Sequence, residues 1–177
     1  MLTSVKDRPW SYVLAEPTKI LVVDDDPILR EFASVYLSSP AAQVETAADV
    51  DAALAQLRTQ SFDIVLIDIE MPRRDGYELL KILRQDPHTI NLPIMMLTGR
   101  EDIASIDLSY ELGATAFTTK PVNWRQLSYQ IRYLLRSART EEALRRQVAG
   151  QEVADQAVAG QAVTGQEVAV QDSACAR

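Results

Sequence analysis

The sequence lacks the features that mark secreted, disulfide-linked or membrane-spanning proteins. It has one cysteine, Cys175, which cannot form an internal disulfide and therefore fits a reducing compartment. No run of about 18 apolar residues occurs. Charged residues and a proline interrupt residues 1–17, which excludes a signal peptide of the usual kind. We therefore expect a cytoplasmic protein without a membrane segment.

The chain also lacks an excess of positive charge. Its formal net charge is −7, so we expect no direct binding to nucleic acid. Of its 177 residues, 47% are hydrophobic, which is enough for one domain with an apolar core. We predict a flexible leader over residues 1–17, one domain over residues 18–139, and a tail over residues 140–177.

The tail contains a five-residue repeat and no aromatic residue. Val recurs at every fifth position from Val148 to Val168. A period of five matches neither 3.6 nor 3.5 residues per turn, so no continuous apolar face forms on a helix. Three glycines weaken a helix further. We predict a helical extension of about two turns, followed by a low-complexity and mostly disordered segment.

Between the leader and the tail, short apolar runs alternate with helical patterns. The runs are typical of buried strands and fall at residues 20–23, 44–47, 64–67, 94–97 and 114–117. In the first helix we expect Leu29, Phe32, Ala33 and Tyr36 to face the core, and in the fourth Ile103, Ile106 and Tyr110. The alternation predicts an α/β fold with a five-stranded parallel sheet.

Polar side chains follow four of these runs. Asp24 and Asp25 follow the first, Asp68 the third, Thr98 the fourth, and Lys120 comes shortly after the fifth. Ligands of such sheets bind beyond the carboxyl ends of the strands, so we expect these side chains to share one edge. Two carboxylates about 4 Å apart repel by roughly 4 kcal/mol at an effective dielectric of ~20. We therefore infer a hard divalent cation with oxygen ligands, such as Mg²⁺.

Each of these motifs also has an ordinary structural explanation. A lone aspartate after a strand is usually a helix cap, and we assign that role to Asp26. Four motifs in order, each at a strand end, favour a shared chemical site instead. There Asp68 can act as a nucleophile toward phosphorus, while Thr98 and Lys120 bind phosphate oxygens.

Four segments resemble the response-regulator receiver family of two-component signalling. They are residues 20–30 (ILVVDDDPILR), 64–76 (IVLIDIEMPRRDG), 94–99 (IMMLTG) and 117–121 (FTTKP), within a resemblance that spans about residues 18–138. The resemblance implies a flavodoxin-like, doubly wound (βα)5 fold with strand order 2-1-3-4-5. It also implies phosphorelay signalling without enzymatic turnover of an external substrate.

By this resemblance Asp68 accepts a phosphoryl group from a histidine kinase or a phosphotransfer protein. Thr98 and Lys120 match the conserved hydroxyl and lysine of the family. The implied Mg²⁺ ligands are Asp25 directly, Asp24 largely through water, Asp68, and the backbone carbonyl of Glu70.

The resemblance also implies a switch. Phe117 falls at the aromatic switch position, where tyrosine is the commoner residue. Movement of Thr98 and Phe117 would alter the surface of the fourth helix, fifth strand and fifth helix, which binds a downstream effector protein. We predict that Glu70 and Arg100 tune the lifetime of the phosphoryl group. An acidic fourth helix beside a basic fifth helix raises the hypothesis of a homodimer through the same surface.

Two other functions stay open at this point. A phosphatase of the haloacid-dehalogenase type also uses an aspartate nucleophile, and Asp24 and Asp26 superficially fit the first motif of that family. However, that motif continues into Thr or Val, whereas Pro27 follows here. A pseudo-receiver scaffold would bind partners without phosphorylation, and the intact set of site residues argues against it. The fifth helix resembles the end of receivers that precede diguanylate cyclase, phosphodiesterase or kinase modules. Since no such module follows here, we expect a stand-alone receiver or the remainder of a longer architecture.

Overall fold

The computed structural model describes residues 14, 16–99 and 103–172, with side chains through residue 151. In these residues five strands alternate with five helices. They are β1 (Thr18–Val23), α1 (Pro27–Leu37), β2 (Ala42–Ala47), α2 (Val50–Thr59), β3 (Ile64–Asp68), α3 (Gly76–Gln85), β4 (Ile94–Thr98), α4 (Ile103–Glu111), β5 (Ala116–Thr119) and α5 (Trp124–Asp172).

The five strands form one parallel sheet in the order β2-β1-β3-β4-β5. Val23 pairs with Ile67, and Asp68 pairs with Leu97. This register brings the carboxyl ends of β1, β3 and β4 to the same edge of the sheet. The predicted α/β class and the strand order are confirmed.

The core lies in two layers, one on each face of the sheet. Alternate residues of a strand point to opposite faces. On one face Val65 packs in a cluster with α2 and with Leu79 of α3. On the other, Leu66 packs in a cluster with Leu37 of α1 and Leu127 of α5. Strands that are buried on both faces explain the continuous apolar runs of the sequence.

Helix α1 buries only part of the predicted set, since Ala33 is buried as predicted and Leu29 is half-buried against the same cluster as Leu37. Ala33 and Leu37 are buried, whereas Phe32 is 47% exposed and Tyr36 is 36% exposed. The prediction for these two aromatic residues was wrong. Their rings contact each other, and Tyr36 stacks on Trp124 with the ring centroids 5.8 Å apart. These two side chains therefore pack against other aromatic rings at the surface and not in the core.

Helix α4 also departs from the predicted pattern. Its buried residues are Ser105 and Ser109, whereas Ile103 is 75% exposed and Tyr110 is 48% exposed. The prediction that Ile103 and Tyr110 face the core was therefore wrong, and Ile106 is half-buried. The Ser109 hydroxyl donates a hydrogen bond to the Ser105 carbonyl at 2.8 Å. This bond satisfies the hydroxyl within the helix, so that a small polar side chain can be buried.

Leu14, which the sequence assigned to the flexible leader, packs on the domain. Leu14 is buried in the same cluster as Leu37 and Ala42. The Ser39 hydroxyl donates a hydrogen bond to the Leu14 carbonyl at 2.8 Å. Leu14 therefore belongs to the core, while the prediction of flexibility for residues 1–13 and 15 falls outside the described residues.

The chain divides into two compact units, Met1–Ala138 and Arg139–Arg177. Helix α5 continues to Asp172, over repeat residues for which the sequence predicted mostly disorder. The chain has no proline after Pro121, and the repeat is rich in Ala and Gln. Both features favour a helix even where no apolar face forms. Residues 173–177 lie outside the described part.

No helix in the described ranges combines the length and the hydropathy that crossing a bilayer requires. The cytoplasmic localisation stays a prediction from the sequence.

Candidate functional site

Three aspartates meet at the carboxyl edge of the sheet. Asp24 and Asp25 directly follow β1, and Asp68 is the last residue of β3. One carboxylate oxygen from each lies within 4.8 Å of the others. Asp24 and Asp68 are buried, whereas Asp25 is exposed. The edge therefore concentrates negative charge at a point that is open to solvent on one side.

The turn after β1 gives the three consecutive aspartates different roles. Asp24 Oδ1 accepts a hydrogen bond from the Asp26 backbone N–H at 2.8 Å. Asp26 in turn caps α1 by accepting from the Ile28 N–H at 2.9 Å, and Pro27 occupies the first turn. The predicted capping role of Asp26 is confirmed. Because Asp26 is used in this way, Asp24 and Asp25 are left for the site.

Lys120 supplies the positive charge of the site. Its Nζ lies 2.9 Å from Asp24 Oδ2 and 3.0 Å from Asp68 Oδ1. The backbone N–H of Lys120 donates to the Thr98 carbonyl at 2.7 Å, which ties the lysine to the end of β4. The Lys120–Pro121 peptide bond is cis. Asp68 Oδ1 has no partner with hydrogen-bond geometry, so its contact with Lys120 is best described as an ion pair.

The protonation of the site follows from burial and charge. Burial raises the pKa of Asp68 to about 6, the Lys120 ammonium opposes this rise, and the Asp24 carboxylate adds to it. For Lys120, burial disfavours the charged form, but the hydrogen bonds and charges of Asp24 and Asp68 raise its pKa overall. Lys120 therefore stays protonated, while Asp68 is mostly ionised at neutral pH and takes up a proton as the pH falls toward about 6.

The cluster fits a divalent cation that takes oxygen ligands. Among the described residues, the three carboxylates share the ammonium of Lys120, so this part of the site keeps an excess of negative charge. The buried Asp68 Oδ1 also lacks a hydrogen-bond donor. Mg²⁺ prefers carboxylate and carbonyl oxygens and keeps several water ligands, for which the exposed side near Asp25 leaves room.

The remaining predicted residues lie around this cluster. Thr98 is the last residue of β4, is buried, and pairs in register with Thr119. Glu70 reaches over the end of β4, since a Cβ placed on Gly99 would lie 3.5 Å from Glu70 Oε2. Arg100, the predicted partner of Glu70 in tuning the phosphoryl lifetime, lies outside the described residues.

Phe117 is half-buried on β5 and packs against the cluster of α2 and α3. Its ring meets that of Tyr110 on α4 edge-to-face, with the centroids 5.9 Å apart and the planes at 87°. The predicted switch residue is therefore in direct contact with α4.

Two residues beside the site were missed by the sequence analysis. Arg30 Nη1 donates a hydrogen bond to the Asp24 backbone carbonyl at 2.5 Å. Nothing in the sequence distinguishes this arginine from one on a solvated helix face. The close contact of Gly76 with the phosphoacceptor strand was also not predicted, since a Cβ there would lie 2.2 Å from the Asp68 carbonyl oxygen. A glycine directly after the cap of α3, Asp75, was the available signal.

Several known proteins resemble this chain in sequence. The model of the response regulator receiver domain matches residues 20–132. The chain is 32% identical over 119 residues to the heme response regulator HssR of Staphylococcus saprophyticus, which covers 67% of this chain and 52% of that protein. It is 34% identical over 128 residues to a probable cyclic di-GMP phosphodiesterase of Vibrio cholerae, with 72% of this chain and 29% of that protein covered.

Solved structures of receiver domains share this fold. A putative response regulator from Chloroflexus aurantiacus is 35% identical, with a TM-score of 0.64, and covers 68% of this chain and 98% of that one. The chain spans about half the length of the first curated relatives that it matches. The matched residues run from β1 into α5 and contain every aspartate of the site, together with Thr98 and Lys120. The chain belongs to the response regulator receiver domain family of two-component signalling.

Proposed function

We propose that this protein is a phosphorelay switch in which Asp68 accepts a phosphoryl group from a histidine kinase or a phosphotransfer protein. The observation that carries the proposal is the cluster at the sheet edge, where Lys120 lies within 3.0 Å of both Asp24 and Asp68. A carboxylate beside an ammonium and two further carboxylates fits nucleophilic attack on phosphorus better than a structural ion pair.

In the proposed reaction, an oxygen of ionised Asp68 attacks phosphorus while the bond from phosphorus to the donor nitrogen breaks. The product is an acyl phosphate on Asp68, and the donor imidazole leaves with the electron pair of that bond. Lys120 pairs with a phosphoryl oxygen, and the Thr98 hydroxyl donates a hydrogen bond to another. With a pKa of about 6, most Asp68 side chains are ionised at neutral pH and can act as the nucleophile.

Mg²⁺ is the proposed cofactor. Its ligands would be Asp25, Asp68, the backbone carbonyl of Glu70, and Asp24 largely through water. When bound, the cation would offset the negative charge of the transferring phosphoryl group. Arg30 donates a hydrogen bond to the backbone carbonyl of Asp24 and so helps to fix the turn that carries Asp24 and Asp25.

Signal output is proposed to use the surface of α4, β5 and α5. Thr98 ends β4, and Phe117 contacts Tyr110 of α4, so movement of either residue would reach this surface. A downstream effector protein would bind there. The homodimer through the acidic α4 and the basic α5 remains a hypothesis for the same surface. Tuning of the phosphoryl lifetime by Glu70 and Arg100 also remains a hypothesis.

Turnover of an external substrate is not part of this proposal. Family membership does not favour a haloacid-dehalogenase phosphatase, and the complete site argues against a pseudo-receiver scaffold. The similar phosphodiesterase extends well beyond the matched region, so its name says nothing of this domain's own chemistry.

The test is phosphorylation by acetyl phosphate with Mg²⁺, followed by intact mass spectrometry. We expect the wild-type chain to gain one phosphoryl group and Asp68→Asn to gain none. Asp26→Asn is the matched control, because asparagine caps a helix as well as aspartate and leaves the site intact. A gain that persists in Asp68→Asn, or repeated turnover of a phosphate ester by the wild type, would contradict the proposal.

A further inference from the structure

An apolar groove lies along α5, away from the aspartate cluster. It has a volume of about 690 Å³, and its lining includes Ala116 of β5 with Tyr129, Tyr133 and Leu134 of α5. Tyr129 is 49% exposed and Tyr133 is 74% exposed. Large aromatic side chains left open to solvent around a concave surface are typical of a protein-binding site.

A row of arginines borders this groove. Arg125 lines it directly and lies one helical turn before Tyr129. Arg132 follows at a spacing of seven residues, which places it on the same side of the helix as Arg125. Neither arginine forms an ion pair with another described residue. The sequence from Trp124 to Arg139 contains no acidic residue, and no acidic residue is among those that line the groove.

We infer that this groove binds an acidic peptide segment of a partner protein, with apolar side chains that contact Tyr129 and Tyr133 and carboxylates that pair with Arg125 and Arg132. The groove supplies the apolar contact area, and the arginines supply electrostatic complementarity and bidentate hydrogen bonds to carboxylates. The inference deepens the proposed function and rests on it for the claim that this surface signals to an effector.

The charge of the whole protein makes this inference specific. With a net charge of −7, the chain should repel acidic peptides and attract basic ones. A preference for acidic peptides can therefore arise only from a local surface. Among the described helices, α5 offers such a surface between Trp124 and Arg139, whereas α4 carries Asp107 and Glu111.

The test is the selection of a random peptide library, displayed on phage, on the full-length chain without any phosphodonor. The strongest peptides are then synthesised with a fluorescent label, and their binding is measured by anisotropy. The variants are Tyr129→Ser with Tyr133→Ser, and Arg125→Glu with Arg132→Glu. Ile28→Ser is the matched control, since Ile28 is a 60% exposed apolar residue on α1. All substituted side chains are exposed, and circular dichroism verifies that each variant folds.

We expect the selected peptides to be acidic and to carry two apolar side chains. The tyrosine variant should weaken their binding at least about tenfold, as expected for aromatic residues at the centre of an interface. The arginine variant should lose acidic peptides and select basic ones, and Ile28→Ser should bind as the wild type does. Binding should also weaken as the salt concentration rises.

Peptides without a charge preference, or binding unaffected by the tyrosine variant, would overturn the inference. So would light scattering that shows a wild-type dimer which the tyrosine variant dissociates, because a second copy would then occupy the groove. The experiment needs neither Asp68 nor a phosphodonor. A failure of phosphorylation and a failure of peptide binding are therefore separate results.

Discussion

Helices α3 and α4 follow the two strands that end in Asp68 and Thr98, but they are attached to the domain in different ways. Helix α3 buries Leu79, Leu80 and Leu83, whereas the buried side chains of α4 are two serines. Burial of a leucine side chain contributes about 1.5–3 kcal/mol, and a serine contributes little beyond its hydrogen bond. The buried leucines therefore attach α3 firmly beside Asp68, whereas α4 is attached through little buried apolar surface and can shift at a lower cost.

A hydrogen bond between side chain and backbone joins the two helices directly. The hydroxyl of Tyr77, the second residue of α3, donates to the Ser105 carbonyl of α4 at 3.0 Å. Elements with little buried apolar surface have low local stability and are the ones that move in conformational switching. Together with the Phe117–Tyr110 contact, this bond is a route by which changes near Asp68 would reach α4.

The largest expected effect compares a core residue from each helix. Leu79→Ala should lower the free energy of unfolding by about 2–5 kcal/mol, because it leaves a cavity in a close-packed cluster. Ser109→Ala should lower it by only about 1 kcal/mol, since it removes one hydrogen bond within α4. Urea denaturation measures both values. An equal loss of unfolding free energy in the two variants would show that α3 and α4 are attached equally firmly.

Gly76→Ala tests the contact of α3 with the phosphoacceptor. The new Cβ would lie 2.2 Å from the Asp68 carbonyl oxygen, so the backbone of Asp68 must move. We expect a loss of about 1–3 kcal/mol in unfolding free energy together with slower phosphorylation. Gly150→Ala is the control, because nothing lies within 4 Å of a Cβ there. That substitution should stabilise α5 by roughly 0.5–1 kcal/mol. An unchanged phosphorylation rate in Gly76→Ala would show that α3 does not position Asp68.

Asp68→Asn tests the electrostatic cost of the site. The pKa of this carboxyl is raised from 3.8 to about 6 in the folded protein. The folded state therefore binds the proton more tightly, and wild-type stability falls as pH rises through this range. At pH 7 without divalent cations, the variant should be more stable by about 2–3 kcal/mol, and the difference should disappear below about pH 4. Thermal denaturation at several pH values measures this; a variant less stable at pH 7 would contradict it.

The smallest expected effect concerns the bond between the two helices. Tyr77→Phe should cost about 0.5–1.5 kcal/mol, the usual contribution of one hydrogen bond. The substitution should speed amide hydrogen exchange in α4 more than in α3, because α4 buries two serines where α3 buries three leucines. Exchange that speeds equally in both helices would show that α4 is attached as firmly as α3.

Much of the fold and the site could be predicted because the strands are buried on both faces. A continuous apolar run such as residues 64–67 shows in the sequence where its strand ends. The topology of a parallel sheet then brings the polar residues that follow each strand together. Asp24, Asp25, Asp68 and Lys120 were located in this way. The helices were harder to predict. Phe32 and Tyr36 follow an apolar spacing on α1, but their rings find partners on the surface.

Other features depend on interactions that no local pattern reports. Ser105 and Ser109 are buried because a hydrogen bond within α4 satisfies the hydroxyl of Ser109, which an apolar period does not detect. Leu14 is fixed by a hydrogen bond from Ser39, which lies 25 residues away in the chain. The close approach of Gly76 to Asp68 arises from how α3 begins, and a glycine in a turn would have looked the same.

The most direct test of this account is to locate the modified residue. After treatment with acetyl phosphate and Mg²⁺, borohydride reduction converts the acyl phosphate of an aspartate into homoserine, which peptide mass spectrometry can place in the sequence. We predict homoserine at position 68 alone, and none when Mg²⁺ is removed with a chelator. Homoserine at Asp24 or Asp25, or its absence from every aspartate, would contradict the central claim.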